Sequence, residues 1–575
     1  MADTLIDTSS GSDGAWDDEA DLVVIGSGAA GLTGAVVAAL HGARVLVLEK
    51  ADGIGGTTAM SGGGTWIPVN HHMHESGVED SREEALQYLR AVGGDTAEDP
   101  MLVALVDHGH EAIRFLEERA GLAPFRPWPA VGGTLDYRPW HPGAKPGART
   151  LDPGRFTLAD LGEWEPRLRT NSKSEWSVDR LDYYGKRMHL LPPGESPKVH
   201  LEVDEKHHKS RDRPVEHVGR GAALAGRLLK ACVEQGVRLR TATPARRLLV
   251  DDDRVIGVRA ERDGAPYRVR AHHGVLMASG GYSQNPELKR LWMNRPLEYT
   301  CEVIENQGDG HLMGMAAGAQ IAHLGDAWWM PYIPLGDPSG PVNIGHTRED
   351  RSLPHTLIVN AHGRRFVNES LNYNDVCEGF GTRQDGPANL PAWLIFDSQG
   401  TRRYGTLAAQ LPRPGGPPHD WLTTAGTLGE LAETLGIDRD GLLATIERFN
   451  GFARTGRDLD FHRGESAYDI AWGDPDNTPN PALGTLEDGP FHAIPILPGC
   501  LATKGGLRIN AYGEVLSAAM WDAPIPGLYA AGNCSTGGVP LAYPGPGATL
   551  GAAITFGYIV GRRIGIRMEA EVAAA

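Results

Sequence analysis

Residues Asp21–Lys50 read DLVVIGSGAAGLTGAVVAALHGARVLVLEK. Leu22–Ile25 is apolar throughout, the pattern of a strand buried on both faces. Gly26, Ser27, Gly28, Ala29, Ala30 and Gly31 follow as G-x-G-x-x-G. In that pattern Gly26 permits the tight turn, Gly28 lets a pyrophosphate approach the backbone, and Gly31 lets a helix pack close on the strand. A helix is expected from Ala29 to about His41, its free N–H groups and positive end aimed at the pyrophosphate. A second strand, Arg44–Leu48, delivers Glu49 and Lys50 to the end where an acid meets the adenosine ribose. The glycine pattern alone is weak. Strand, helix, second strand and acid in register make it a dinucleotide-binding unit.

The next residues select the dinucleotide. Gly53–Gly64 reads GIGGTTAMSGGG, where a nicotinamide enzyme would normally continue into another strand–helix unit. This segment resembles the second FAD contact loop of the fumarate reductase and ketosteroid dehydrogenase flavoproteins. The resemblance implies FAD, with contacts from Gly56, Thr57, Thr58, Ser61, Gly62 and Gly63. Val237–Val250 and Arg254–Ala260 read as strands, with Pro244 and Ala245 at a strand end where backbone meets adenine. Gly274–Tyr282, GVLMASGGY, reads as a strand closed by a glycine pair and resembles the second glycine motif of two-dinucleotide-fold flavoproteins, which implies a cofactor contact at Gly280. A bland strand and turn explains that stretch equally well in isolation. Near the C-terminus, PGLYAAGN ends at Asn533. There PGPGATLGAAIT (544–555) leads into a small-residue helix expected to end near Arg562. Such a glycine turn sets Gly547, Thr549 and Leu550 and a helix N-terminus beside the flavin pyrimidine edge.

Bulk properties narrow the partners. The 575 residues carry a formal net charge of −18, which argues against nucleic acid and gives no general attraction to anionic lipid. The five cysteines are scattered with no C-x-x-C pair, fitting a reducing compartment and neither a metal site nor a disulfide framework. His141, His207, His208 and His323 show no metal-ligand pattern, so no metal is expected. No apolar run is long enough for a membrane span. The expected location is cytoplasmic, with peripheral membrane association left open.

The expected fold is α/β: a discontinuous Rossmann-like cofactor domain with an inserted α+β substrate domain. Residues 1–20 read as a disordered acidic tail. The cofactor domain would occupy 21–315 and 503–571, and the substrate domain 316–502. Residues 160–220 read as a charged surface insertion with a basic run near His207–Arg213.

Several stretches together resemble the FAD-dependent 3-ketosteroid dehydrogenase family, within the fumarate reductase and succinate dehydrogenase superfamily. They are GSGAAG (26–31), GGTTAMSGGG (55–64), GDAWWMPYIPL (325–335), IVNAHGRRFVNES (358–370), RGESAYD (463–469), ATKGGLRIN (502–510), GLYAAGN (527–533) and YPGPGATLGAAITFGY (543–558). The superfamily's dicarboxylate reductases keep a His before T-x-G-G and an Arg in the C-terminal glycine turn. Here Ala502 precedes Thr503, and Tyr543–Gly547 has no Arg. A dicarboxylate without those cations is disfavoured, and an apolar turn with one phenol suits a neutral ketone.

The resemblance implies FAD-dependent α,β-desaturation of a cyclic ketone, foremost a 3-oxosteroid at positions 1 and 2. A base takes the α proton and the β hydrogen leaves as hydride. Tyr543 with the Gly547 N–H would hold the ketone oxygen. Tyr373 falls at the general base, and a phenol needs assistance to act as one. Tyr137 is the candidate helper, although Arg138 stands where the family commonly has a second aromatic. Trp328, Trp329 and Tyr332 would wall a flat apolar pocket. The electron acceptor would be of quinone or artificial-dye type. LAYPGPGATL (541–550), where the family tends to HTYPGPGGTI, keeps open a 4-(5α)-dehydrogenase or a cyclohexanone-type dehydrogenase. A different class, a flavoprotein without substrate chemistry, also stays open.

Overall fold

A computed structural model describes residues 6–7, 15–128, 135–170, 216–297, 299–334, 344–346, 350–381, 389–408, 410–412, 419–538 and 541–574. The expected strand–helix–strand unit forms as Asp18–Ile25, Ala29–Leu40 and Val45–Leu48. The two strands pair in parallel, Leu22 against Val45 through Ile25 against Leu48. Residues Ala20–Ile25 and Val45–Leu48 are buried, as a strand covered by helices on both faces requires.

These strands sit in a nine-stranded sheet. Its main path runs Ile6–Asp7, Ala245–Asp251, Arg254–Arg262, Ala265–Met277, Asp18–Ile25, Val45–Leu48, Arg238–Arg240. Pro524–Ala530 joins in parallel on Ala265–Met277, so a C-terminal strand completes the N-terminal sheet. Three expectations change here. The expected tail supplies Ile6–Asp7 and the start of the Asp18–Ile25 strand to this sheet. The stretch expected as one strand over 237–250 breaks at 241–244. Pro244 has no N–H for a ladder, Ala242 turns left-handed at φ 48°, and the Ala242 and Thr243 N–H groups bond the Ala51 and Glu49 carbonyls. The C-terminal helix passes Arg562 and runs Ala548–Ala574. Gly557, Gly561 and Gly565, four residues apart, bring it against Ala30, Gly34 and His41 so closely that a Cβ would collide.

A second, seven-stranded sheet is organised on the long Phe491–Leu507 strand. Ile321–Pro334 and Ala392–Asp397 pair with it antiparallel, and Thr356–Asn360 extends the sheet beyond Ala392–Asp397. The Phe491–Leu507 strand crosses the boundary expected at 502/503. Its ladder explains why: pairing with Ile321–Pro334 continues past that point, Asp326 opposite Lys504 and Ile321 opposite Leu507, and Lys504 ion-pairs Asp326 at 3.1 Å. Most of the expected 160–220 insertion, with His207 and His208, lies outside the described residues.

Candidate active site

The glycine turn is shaped for a phosphate. A Cβ on Gly31 would overlap the Gly26 carbonyl oxygen, so the helix is seated on the turn itself. A Cβ on Gly28 would meet only Thr58 Oγ1, at 3.5 Å, so space lies beside this residue. Thr58 Oγ1 accepts from Ala29 N at 2.9 Å, which joins the second glycine loop to the helix start. Ala30 packs on the other side, against Gly532 and Gly557. Glu49 is buried, with Oε2 accepting from Ser27 N (3.0 Å) and Ser27 Oγ (2.6 Å) and Oε1 from Ala51 N (2.8 Å). The Thr243 N–H on its carbonyl brings the segment leading to Ala245 alongside. Ser61 Oγ donates to the Thr58 carbonyl (2.7 Å) and accepts from Gly63 N (3.1 Å), knotting the loop that contains Gly62. Gly56 is open, with no atom near a built Cβ, whereas Gly280 is packed on Asn306.

Two of the expected contact residues also bond protein groups. Lys50 Nζ binds Asp309 (2.6 Å) and the Glu305 carbonyl (3.0 Å). Thr57 Oγ1 accepts from Val303 N (3.3 Å) and Asn306 Nδ2 (3.1 Å). Both residues fasten the loop 303–309 to the glycine loop.

The other half of the site is the turn Tyr543–Gly547. Its two prolines donate nothing, so its carbonyls are held from outside. Pro544 O accepts from Tyr137 N (2.9 Å) and Tyr88 Oη (2.6 Å), Pro546 O from Thr150 Oγ1 (2.6 Å), and Gly547 O from Trp66 N (3.1 Å). Gly547 adopts φ 97°, and a Cβ there would strike the Gly64 carbonyl. The glycine is required both by its conformation and by the second glycine loop lying against it. Its N–H, at the start of the Ala548–Ala574 helix, donates to no described residue. Thr549 Oγ1 in the first turn is buried without a hydrogen-bond partner, and Leu550 is buried beside it. A buried orphan hydroxyl, a free helix-terminal N–H and open space at Gly28 are what a bound flavin dinucleotide would satisfy. The residues fit FAD.

Three expected tyrosines meet at this turn. Ring centroids are 5.1 Å apart for Tyr137–Tyr373, 5.1 Å for Tyr137–Tyr543 and 5.5 Å for Tyr373–Tyr543, all edge-on. All three are nearly inaccessible, and the Tyr543 hydroxyl bonds no described residue. Tyr468 is a fourth member, edge-on to Tyr137 at 5.7 Å. It lies inside RGESAYD, in the first turn of a short helix capped by Ser466. That cap was the available signal for its direction.

Each tyrosine is held from a different part of the chain. Tyr373 opens the Tyr373–Glu378 helix, capped by Asn372, whose Nδ2 also donates to the Tyr137 carbonyl (3.2 Å). Arg138 spans to the same helix with two bonds to Asp375, each 3.1 Å. The residue that replaces an aromatic in the resembling stretch therefore clamps Tyr137 to the helix of Tyr373. FVNES and RGESAYD are joined by buried charge. Arg365 binds Glu369 (2.8 Å) and Asp458 (2.8 Å), and Arg463 binds Glu369 (3.2 Å). Burial works against the Glu369 charge, but Arg365 and Arg463 outweigh it and hold the carboxyl below its ordinary range. Beneath the turn, Asp136 accepts from Trp66 Nε1 (2.8 Å), Arg149 (2.6 Å) and Lys145 N (2.8 Å). Burial still pushes the Asp136 carboxyl upward.

The expected aromatic wall splits. Trp328 packs edge-on to Tyr543 at 4.7 Å and donates to Asn533 Oδ1 at 3.1 Å. Trp329 faces the opposite core, with Tyr282, Met293 and Cys377, and donates to Asp326 at 2.7 Å. Successive strand residues point to opposite faces, so adjacent tryptophans do not wall one pocket. Tyr332 returns to the face of Trp328, but its hydroxyl donates to the Cys500 carbonyl at 3.1 Å and it packs as core. Lys504 was not expected. Its buried Nζ sits 4.3 Å from the Trp328 ring centre, 2.9 Å from the Ala542 carbonyl and 3.1 Å from Asp326. Burial lowers the ammonium pKa, with Asp326 opposing.

Comparison with known proteins matches this construction. The chain is 38% identical over 557 residues to 4-oxocyclohexanecarboxylate 2-dehydrogenase of Sinomonas cyclohexanicum, covering 95% of this chain and 92% of that one. It is 39% identical over 568 residues to 3-oxosteroid 1-dehydrogenase of Mycolicibacterium smegmatis, covering 94% and 96%. The crystal structure of 3-ketosteroid delta1-dehydrogenase from Sterolibacterium denitrificans in complex with 1,4-androstadiene-3,17-dione superposes with a TM-score of 0.84 at 30% identity, covering 96% and 100%. The profile described as FAD binding domain matches residues 21–550. The chain belongs to this FAD binding domain family and is an FAD-dependent oxidoreductase of the ketosteroid dehydrogenase type.

Proposed function

We propose that the protein desaturates a cyclic ketone next to its carbonyl, with a 3-oxosteroid oxidised at the 1,2 bond as the substrate class. The observation that carries this reading is the cluster of Tyr137, Tyr373 and Tyr543 at the N-terminus of the Ala548–Ala574 helix. Among the described residues the Tyr543 hydroxyl and the Gly547 N–H have no partner, and both donate to the ketone oxygen, stabilising the charge that grows there as the α proton leaves. Tyr373 takes that proton. Tyr137, edge-on to both, shields it from water and fixes its ring. Bound FAD supplies the acceptor for the hydride. Trp328 is the aromatic of the pocket wall.

A neutral substrate is supported by charge balance. The described cations nearest the tyrosines are matched by carboxylates, Lys504 by Asp326 and Arg138 by Asp375. A substrate carboxylate would have to displace one of these. The second reading, a 4-oxocyclohexanecarboxylate-type ketone, is favoured by the Sinomonas relative, which matches at similar identity and coverage.

The test is anaerobic flavin absorbance after mixing holoprotein with androst-4-ene-3,17-dione, its 5α-saturated analogue or 4-oxocyclohexanecarboxylate, with products identified by NMR. Bleaching with a new 1,2 double bond supports the steroid reading. Bleaching with the carboxylate alone moves the substrate and keeps the chemistry. No bleaching with any ketone overturns the proposal.

The division into a cofactor domain and an inserted substrate domain follows the two sheets in this reading. A quinone-type acceptor completes the cycle. No described helix is long and apolar enough to cross a membrane. Peripheral contact would use the exposed Met520 and Trp521 (76% accessible), and failure to cosediment with quinone-containing vesicles would remove it.

A further inference from the structure

We propose that His71, His72 and Glu117 form a binding site for a divalent transition metal ion of the zinc class. None of the three belongs to the tyrosine cluster or the dinucleotide cradle. They are the described grouping of histidine and acidic side chains whose ligand atoms converge, all within 4.8 Å of one another. The absence of metal expected from the sequence is set against this grouping.

The convergence is built by the backbone. Adjacent residues of an extended strand point apart, but here the chain turns, with His72 at φ −88° and ψ −7°. Asn70 fixes the turn, donating to the Ile67 and Ala148 carbonyls at 2.8 and 3.0 Å and accepting from His72 N at 3.1 Å. The two imidazoles then lie side by side, 4.0 Å between centres. Glu117, in the last turn of the Asp99–Glu118 helix, lies against both. Its Oε2 is 2.7 Å from His71 Nε2 and its Oε1 is 2.8 Å from His72 Nε2.

A tetrahedral ion with nitrogen and oxygen ligands at about 2.0–2.2 Å needs donors roughly 3.3 Å apart. The two Nε2···O contacts, 2.7 and 2.8 Å, would each open by about half an ångström to admit one. The surroundings orient the ligands as outer-shell groups do. His72 Nδ1 is 2.9 Å from Glu75 Oε1, and Glu117 Oε1 accepts from Phe125 N at 2.7 Å. His71 Nδ1 has no hydrogen-bond partner, so nothing else fixes Nε2 as a donor. A cavity of about 650 Å³, lined in part by His72, Glu75, Phe125, Arg126 and Arg227, reaches the cluster at His72 and leaves room there for a water ligand. Two imidazoles and a carboxylate select a borderline ion such as zinc over calcium or magnesium.

The experiment is calorimetric titration of FAD-loaded, chelator-treated protein with Zn²⁺, followed by zinc-edge X-ray absorption on the product. One ion per chain and scattering from two imidazoles are expected. Glu117→Gln and, separately, the milder His71→Ala should weaken binding more than tenfold, and Glu75→Gln by roughly tenfold, the effect of losing an outer-shell partner. His108→Ala, on a half-buried ring paired with Glu111 elsewhere on the helix, should leave the affinity unchanged. Flavin content and circular dichroism report whether each variant folds. Absence of one-to-one binding, unchanged affinity in His71→Ala, or a scattering shell without imidazoles overturns the site and leaves a hydrogen-bonded knot between loop and helix.

Discussion

The dinucleotide cradle and the tyrosine pocket share the Ala548–Ala574 helix and are built in opposite ways. The cradle is largely backbone. Its glycines bring turn, helix and second loop into contact, and most of it lies in one continuous run of about 40 residues, Gly26–Gly64. The pocket is side chains drawn from distant segments: Tyr137, Trp328, Tyr373, Tyr468 and Tyr543. Each is aimed by a bond made elsewhere, such as Arg138–Asp375, Asn372 to the Tyr137 carbonyl or Arg365–Glu369. A cradle of backbone tolerates no added atoms where its segments touch, as at Gly31 and Gly63. A pocket of side chains tolerates replacement while its struts hold.

The sharpest break of that contrast is Gly31→Val. Its Cβ would meet the Gly26 carbonyl, so nearly all bound FAD should be lost, read as the flavin-to-protein absorbance ratio. Retained flavin would show that the turn is not held by close packing.

Next in size are Tyr373→Phe and Tyr543→Phe. Both should keep FAD, while ketone turnover falls by about 10²–10⁴ for a lost base and about 10²–10³ for a lost oxyanion donor. Steady-state kinetics with a bound-flavin control decides. Near-normal rates would remove the residue from the chemistry.

Glu369→Gln strikes a strut instead. Leaving Arg365 and Arg463 with one buried carboxylate fewer should cost about 3–5 kcal/mol in urea unfolding. The Glu369 pKa is depressed in the folded state, so its contribution is complete above the ordinary glutamate value of 4.5 and is lost as pH falls through the lower folded value. The native protein should therefore lose stability more steeply than the variant on acidification. Equal acid profiles would separate this cluster from stability.

The smallest expected effect is Lys504→Met. Removing the cation under Trp328 frees the Ala542 carbonyl one residue before Tyr543. A decrease in kcat of about tenfold with KM little changed is the signature of a displaced oxyanion donor. A pure KM effect would make Lys504 a substrate contact.

Legibility followed the same division. Gly26, Gly28, Gly31, Glu49 and the loop from Gly56 to Gly63 could be read because their roles depend on neighbours a few residues away. For Lys50 and Thr57 no sign in the sequence shows that Asp309 and Val303, some 250 residues on, also bond their polar atoms. Tyr137, Tyr373 and Tyr543 were found through resembling stretches and meet in the fold. Tyr468 and Lys504 lay in quoted stretches; the Ser466 cap was the one local signal for Tyr468, and Lys504 had none. The pairing of Trp328 with Trp329 failed on a local rule, the two-residue period of a strand.

The sequence by itself determined the dinucleotide unit and an apolar, cation-poor C-terminal turn, because strand period, glycine conformation and charge are properties of short segments; the kind of cofactor followed from the resemblance those segments carry. Only the tertiary structure decided which tyrosines touch and which cations are already neutralised. It also decided where His71, His72 and Glu117 converge. Those facts depend on contacts between residues tens to hundreds of positions apart, and a long-range contact leaves no period or spacing in the chain that makes it.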